Sequence, residues 1–393
     1  MGLLDTMTPR RAQTFLLLLS LPALLEGCSG LHLGRTLTHG ENDWVMFGRT
    51  GLHSSTIPTR IDTPLTPAWE YDLAAGTANG APLVMDSLVL VGTMRGELHA
   101  VRLIDGKRTG WVSLGEAIHG TPATDGSTIF VPLAHSKESV VALDLASGRY
   151  RWQQSCGDAE TSLLLQESNL FGGTMEGSLF CLDPASGAVR WLFTLPDNTK
   201  RKGIRSSPMA WRSLVVFGAD DGDLYALDSA TGKVRWQYRG NAPIVAPPVA
   251  DSTVLIVGTT GGTVLAVDPP TGSLRWQKNV GAPVYGHALL TPTLAVVTTT
   301  AGMITGLSAV TGDLQWTTDA GGPILAGPSG AGDILFVGTL HRELLALSLR
   351  DGAILWKGTT EGRIKTSPVI SGGLVIVTTD DRSMIAFRGA TPR

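Results

Sequence analysis

Most of the groups that carry chemistry are scarce in this 393-residue chain. It has three cysteines, no two of them adjacent, and eight histidines, no pair of which has the spacing of metal ligands. There is no glycine-rich phosphate loop and no G-x-S-x-G nucleophile elbow. Charged residues make up 17% of the chain and the net charge is −3, which excludes the basic footprint of a nucleic-acid-binding protein. No 3.6-residue apolar period runs through the Gly-, Val- and Thr-rich text, so a helical solenoid is excluded. The one long apolar run at the start, residues 15–25, is too short for an ordinary membrane span.

What is present is a repeat. Trp69, Trp111, Trp152, Trp191, Trp236, Trp276, Trp316 and Trp356 recur every 39 to 45 residues. Ten residues before six of them stands a small residue: Ala142, Cys181, Ala226, Ala266, Gly306 or Ala346. Four residues before the same six stands Gly148, Gly187, Gly232, Gly272, Gly312 or Gly352. Ala100 keeps this register with one residue inserted before Trp111. The stretch "LYALDSATGKVRWQ" at 224–237 therefore reads as strand, turn and returning strand, with Asp228 bonding the turn and Gly232 at positive φ. Upstream lies a second hairpin whose second strand is a continuous apolar run, "LVVFG" here and "ILFVG" or "LVIVT" elsewhere, which fits a strand buried on both faces.

Units of four short strands and about 40 residues are the repeat of a β-propeller. The last unit stops after its third strand, and Trp69 belongs to a strand that lacks the three before it. The two ends complement each other, which predicts an all-β, eight-bladed propeller of four-stranded antiparallel blades. Its eighth blade is closed by the N- and C-terminal strands, removing a raw sheet edge. The expected layout is a signal peptide over 1–27, a lead-in over 28–64 and one propeller domain over 65–389. Tryptophan–aspartate dipeptides are missing after the recurring tryptophans, so this is not a WD-type repeat. His119 and His287 fall near the starts of inner strands in separate blades, and His99, His135 and His341 near turns between second and third strands. No metal site is expected from them.

Arg10 and Arg11 precede the short apolar run, and "LEGC" follows it. This is the pattern of a secretory signal, and the last four residues resemble a bacterial lipobox that would make Cys28 a lipidated first residue. Removing 1–27 takes away two arginines and two acids and leaves the net charge unchanged. Cys181 sits in the column otherwise filled by Ala or Gly, which predicts a buried core thiol; a Cys156–Cys181 disulfide is the alternative.

The eleven-residue pattern Ala-x-Asp-x-x-x-Gly-x-x-x-Trp resembles the tryptophan-docking repeat of propellers related to quinoprotein dehydrogenases, which bind pyrroloquinoline quinone (PQQ). It is met in full at 142–152, 226–236 and 266–276, and the resemblance covers residues 42–389. It implies that each tryptophan docks on a neighbouring blade. One branch of that family is enzymatic, with PQQ and calcium in the channel and often an adjacent cysteine pair. This chain is shorter, has no such pair, and implies no cofactor except under that alternative. Asp220, Asp221, Asp380 and Asp381 could ligate a cation, but acids at such turns are usually just solvated. The other branch consists of lipid-anchored scaffold propellers of outer-membrane β-barrel assembly, which bind a periplasmic protein partner through loops on one face. The matching stretch here is "NTKRKGIRSSP", in the longest interval between tryptophans, with Lys200, Arg201, Lys202 and Arg205. "EGRIKTSP" adds Arg363 and Lys365 on an equivalent loop of the same face. The resemblance implies a monomeric, exported, non-catalytic propeller anchored to the outer membrane of a Gram-negative bacterium. A channel that binds carbohydrate or peptide is a further alternative.

Overall fold

The computed structural model describes residues 30–196 and 202–390; Cys28, Lys200 and Arg201 lie outside them. Every named element is a β-strand, and no helix among the described residues is long and apolar enough to cross a membrane. The strands form eight sheets, here blades 1 to 8: residues 83–113, 123–154, 164–194, 209–238, 249–279, 289–319, 329–359, and 369–388 completed by 66–72. First strands of neighbouring blades touch and so surround the channel. Second strands are buried along all or nearly all of their length, completely so in Leu214–Gly218 and Leu374–Thr378. Outer strands alternate, so that Val234–Tyr238 buries Trp236 and exposes Val234 and Gln237. Six apolar clusters, each drawn from at least two adjoining blades, take the place of a single core. A blade buries its faces only against its neighbours, which is why the repeat must close into a ring.

Closure is made where the ends meet. Thr66–Asp72 pairs antiparallel with Ser383–Arg388, placing Trp69 opposite Ala386 just as Trp236 stands opposite Ala226. Blade 7 carries one strand more than the repeat predicts, because Thr56–Ile57 pairs parallel with Gly330 and Ala331.

The tryptophan column is the fastening between blades. The indole N–H of Trp69, Trp152, Trp191, Trp236, Trp276 and Trp316 donates to a turn carbonyl of the next blade, at 2.8–3.1 Å. The turn glycine of that next blade lies flat on the ring. At Gly232, with φ +69°, a Cβ would sit 2.7 Å from Trp191 Cδ2.

Blade 1 departs from this register. Its extra residue makes Gly110 face Ala100 and turns Trp111 to face His99, on which it stacks at 6.2 Å. The empty place in the seam is filled from the chain's beginning. Leu31 is fully buried there, its carbonyl lies against Gly148, and Leu33 N donates to Leu145 O at 3.0 Å, where an indole N–H would otherwise donate. The expectation that Trp111 keeps the pattern is therefore corrected, because the insertion rotates its side chain out of the seam.

Over its described part, the lead-in 28–64 does more than join. From Leu37 to Ile57 it runs across the base, the face of first-to-second strand turns, bonding in order to blades 2, 1, 2, 4, 5 and 7. Trp44 is buried there and donates to Ile370 O in blade 8 at 2.7 Å. Cys156 and Cys181 are both free, and Cys181 is buried opposite Trp191, so the disulfide alternative is not realised.

Candidate binding site at the channel mouth

Eight equivalent loops lead from an outer strand into the next inner strand, all on the face opposite the base. At one position of that repeat they place Asn79, His119, Glu160, Arg205, Val245, Tyr285, Leu325 and Lys365. Seven of these, together with Gly120 beside His119, line a cavity of about 550 Å³ at the mouth of the channel. The ring is two-sided. Blades 8, 1, 3 and 4 supply the polar side chains Lys365, Asn79, Glu160 and Arg205, blade 2 contributes Gly120, and blades 5 to 7 supply Val245, Tyr285 and Leu325.

The cavity is a cup, because the base segment floors it with Phe47. The ring of Phe47 meets His53 edge-on at 5.0 Å and His287 at 5.2 Å. His53 Nδ1 bonds Pro248 O at 2.8 Å, whereas both ring nitrogens of His287 are buried without a partner. Burial lowers the pKa of His53 to about 4 and that of His287 to about 3, so both rings are neutral at physiological pH.

Arg205, Arg363 and Lys365 lie on this face, as their loops require, but none presents a bare charge. Arg205 grips Asp220 with three hydrogen bonds of 2.8–3.0 Å. Arg363 and Lys365 share Asp380, at 2.6 and 3.1 Å. Asp380 is pulled in opposite directions: burial would raise its pKa, and these two cations together hold it low. Lys202 is also engaged. Three of the four acids at the blade turns are engaged rather than simply solvated, while Asp381 is exposed. Asp220 and Asp380 tether the loops beside them, and Asp221 accepts from the Tyr225 hydroxyl at 2.7 Å.

One group was not legible from spacing. His119, His135 and Glu160 meet beside the cup, with His119 Nδ1 3.5 Å and His135 Nε2 3.9 Å from Glu160 Oε1. His119 and Glu160 hold the same loop position in successive blades, and His135 comes from a turn on the same face. Aligning the loops by the repeat, rather than counting residues between histidines, would have brought the first two together.

The fold and its mouth define a class: a closed eight-bladed β-propeller whose channel is floored on one side and open to loops on the other. The description "Outer membrane protein assembly factor BamB" belongs to the family that matches residues 56–163, 136–300 and 300–392. The chain belongs to that family. A BamB of Legionella pneumophila (strain Paris) is 26% identical over 151 residues, a match spanning 35% of this chain and 38% of that relative. Among solved structures, BamB from Moraxella catarrhalis superposes with TM-score 0.70 at 20% identity, covering 83% of this chain and all of that one. Quinohemoprotein alcohol dehydrogenase from Comamonas testosteroni gives TM-score 0.74 at 14% identity, covering 93% and 85%. These superpositions show a shared fold.

Proposed function

We propose that the protein is a non-catalytic scaffold of the cell envelope that takes part in assembling outer-membrane β-barrels and docks a protein partner at the channel mouth. The observation that carries this reading is the family match running through all eight blades, from residue 56 to 392. The mouth suits a polypeptide: a polar arc and an apolar arc around one cup can hold both kinds of side chain of a single inserted loop. Because Arg205, Arg363 and Lys365 are already paired, docking would exchange Asp220 and Asp380 for acids of the partner. The described chain begins at Gly30, beside Gly110 of blade 1, so a lipid on Cys28 would tether the propeller by that edge.

The enzymatic alternative fits the cup poorly. Calcium takes six to eight oxygen ligands, and the cup offers one carboxylate, Glu160, which faces an imidazole at 3.5 Å. With a single carboxylate the cup is a weak match for that cation, and the scaffold reading is the better supported of the two.

Affinity capture from detergent-solubilised envelope tests the docking surface. Replacing both Arg205 and Lys365 by Glu should lower recovery of the barrel-assembly partner at least tenfold. Arg102→Glu, in an ion pair with Asp105 on the base, should leave it unchanged. Equal recovery by the mouth variant and the unsubstituted protein would show that the interface lies elsewhere.

A further inference from the structure

His119, His135 and Glu160 each offer one ligand atom within 4.8 Å of the other two. They come from three segments: the loop entering blade 2, the turn between its second and third strands, and the loop entering blade 3. Side-chain exposures of 16%, 65% and 26% make the group reachable from solvent while two of its members stay mostly enclosed. We propose that these three residues form a binding site for a borderline divalent metal ion such as Zn²⁺, with a coordination position open towards the channel mouth.

Three features carry the assignment. The first is distance. In a tetrahedral shell with bonds of about 2.0–2.1 Å, ligand atoms stand roughly 3.4 Å apart. The separations of 3.5 and 3.9 Å to Glu160 Oε1 are close to that. The second is the support behind His135. Asp158 accepts from His135 N at 2.7 Å and contacts Nδ1 at 3.0 Å, which fixes the ring with Nε2 free to ligate. A carboxylate behind a ligating imidazole is the usual device for setting its tautomer and raising its basicity. This turn is held in an uncommon conformation, with His135 at φ +55°. The third is His119, whose mostly enclosed ring faces Glu160 with Nδ1, so that packing rather than solvent positions this donor.

The donor set selects the metal. Two imidazoles and one carboxylate suit Zn²⁺ and its neighbours in the transition series, whereas Ca²⁺ and Mg²⁺ require oxygen donors. Three protein ligands leave the fourth position for water or for a donor from outside. Glu160 lines the cup, so that position faces the place where a docked loop would sit. The site stands on this chain's own residues and is independent of the docking reading above.

Titration calorimetry with ZnCl₂ tests it on the full chain, purified without a polyhistidine tag and stripped with chelator. One equivalent of Zn²⁺ should bind with a Kd of roughly 10 µM or tighter, and the thermal midpoint should rise with metal. His119→Ala and Glu160→Gln should each abolish stoichiometric binding. Asp158→Asn should weaken it about 10- to 100-fold while keeping one equivalent. His135→Asn alters an exposed side chain, so its loss of binding remains readable even if His119→Ala misfolds. His39→Ala should change nothing. The proposal is overturned if no saturable heat appears, if His135→Asn binds as well as the unsubstituted chain, or if Ca²⁺ competes equally, which would mark an ordinary acidic surface.

Discussion

Replacing Trp236 by alanine tests the seam between blades 4 and 5. The side chain is 9% exposed, lies under Gly272, and donates to Pro269 O at 2.9 Å. A buried tryptophan removes about 200 Å² from water, worth roughly 5 kcal/mol at 25 cal/mol per Å². The stranded carbonyl adds to the loss and local collapse subtracts from it, which leaves about 3–5 kcal/mol. At ~2 °C per kcal/mol, the low end for domains of this size, the thermal midpoint should fall by roughly 6–10 °C. Circular dichroism at 218 nm reads this directly. The informative comparison is Trp111→Ala. Sequence alone puts Trp111 in the same column, yet its ring faces His99, outside the seam. Its loss should cost only about 1 kcal/mol, an average core-edge value. Leu31→Ala, which empties the place blade 1 leaves in the seam, should cost about 2–3 kcal/mol. Equal losses for Trp236→Ala and Trp111→Ala would refute the seam argument.

Gly232→Ala should destabilise by roughly 2 kcal/mol or more, since a Cβ would press on Trp191 in a left-handed backbone; an unchanged chemical-denaturation midpoint would show that the ring yields. Acidification should weaken the fold between pH 6.5 and about 4. In that window an unfolded histidine gains a proton that His53, with its folded pKa near 4, and His287, near 3, refuse, so the unfolded state is favoured as pH falls. The loss from His53 alone is on the order of 3 kcal/mol. Asp144 and Asp183, held near 2 chiefly by Arg151 and Arg190, lose their contribution only at lower pH and do not obscure it. Melting curves from pH 7.5 to 4.5 should flatten when His53 and His287 are both replaced by Asn, and an unaltered slope would refute the assignment.

The repeat made the ring, its eight blades and its closure legible, because Gly232, Trp236 and their equivalents obey local rules that recur in the text. What stayed hidden was everything that depends on contact between distant segments. Phe47 reads as an ordinary residue in a lead-in, and only the closed ring makes it the floor of a cup. Arg205 and Lys365 read as positive charge, and their neutralisation depends on Asp220 and Asp380, each 15 residues onward across a hairpin. Trp111 misled because one inserted residue in a strand reverses which face a side chain takes.

The same geometry explains where this fold keeps its freedom to vary. Seam positions are fixed by a ring, a glycine and a carbonyl that must meet across two blades. The mouth position has no such shared duty: seven of its eight residues line the cup, and none takes part in the indole–glycine–carbonyl fastening between blades. Asn, His, Glu, Arg, Val, Tyr, Leu and Lys occupy it in turn, eight different residue types at one structural address. A propeller held together by its outer tryptophans can therefore change its inner ring without refolding. That predicts that exchanging Val245 for Lys should leave the thermal midpoint within about 2 °C, because the side chain enters the cup. A larger fall would mean that the ring carries stability as well as recognition.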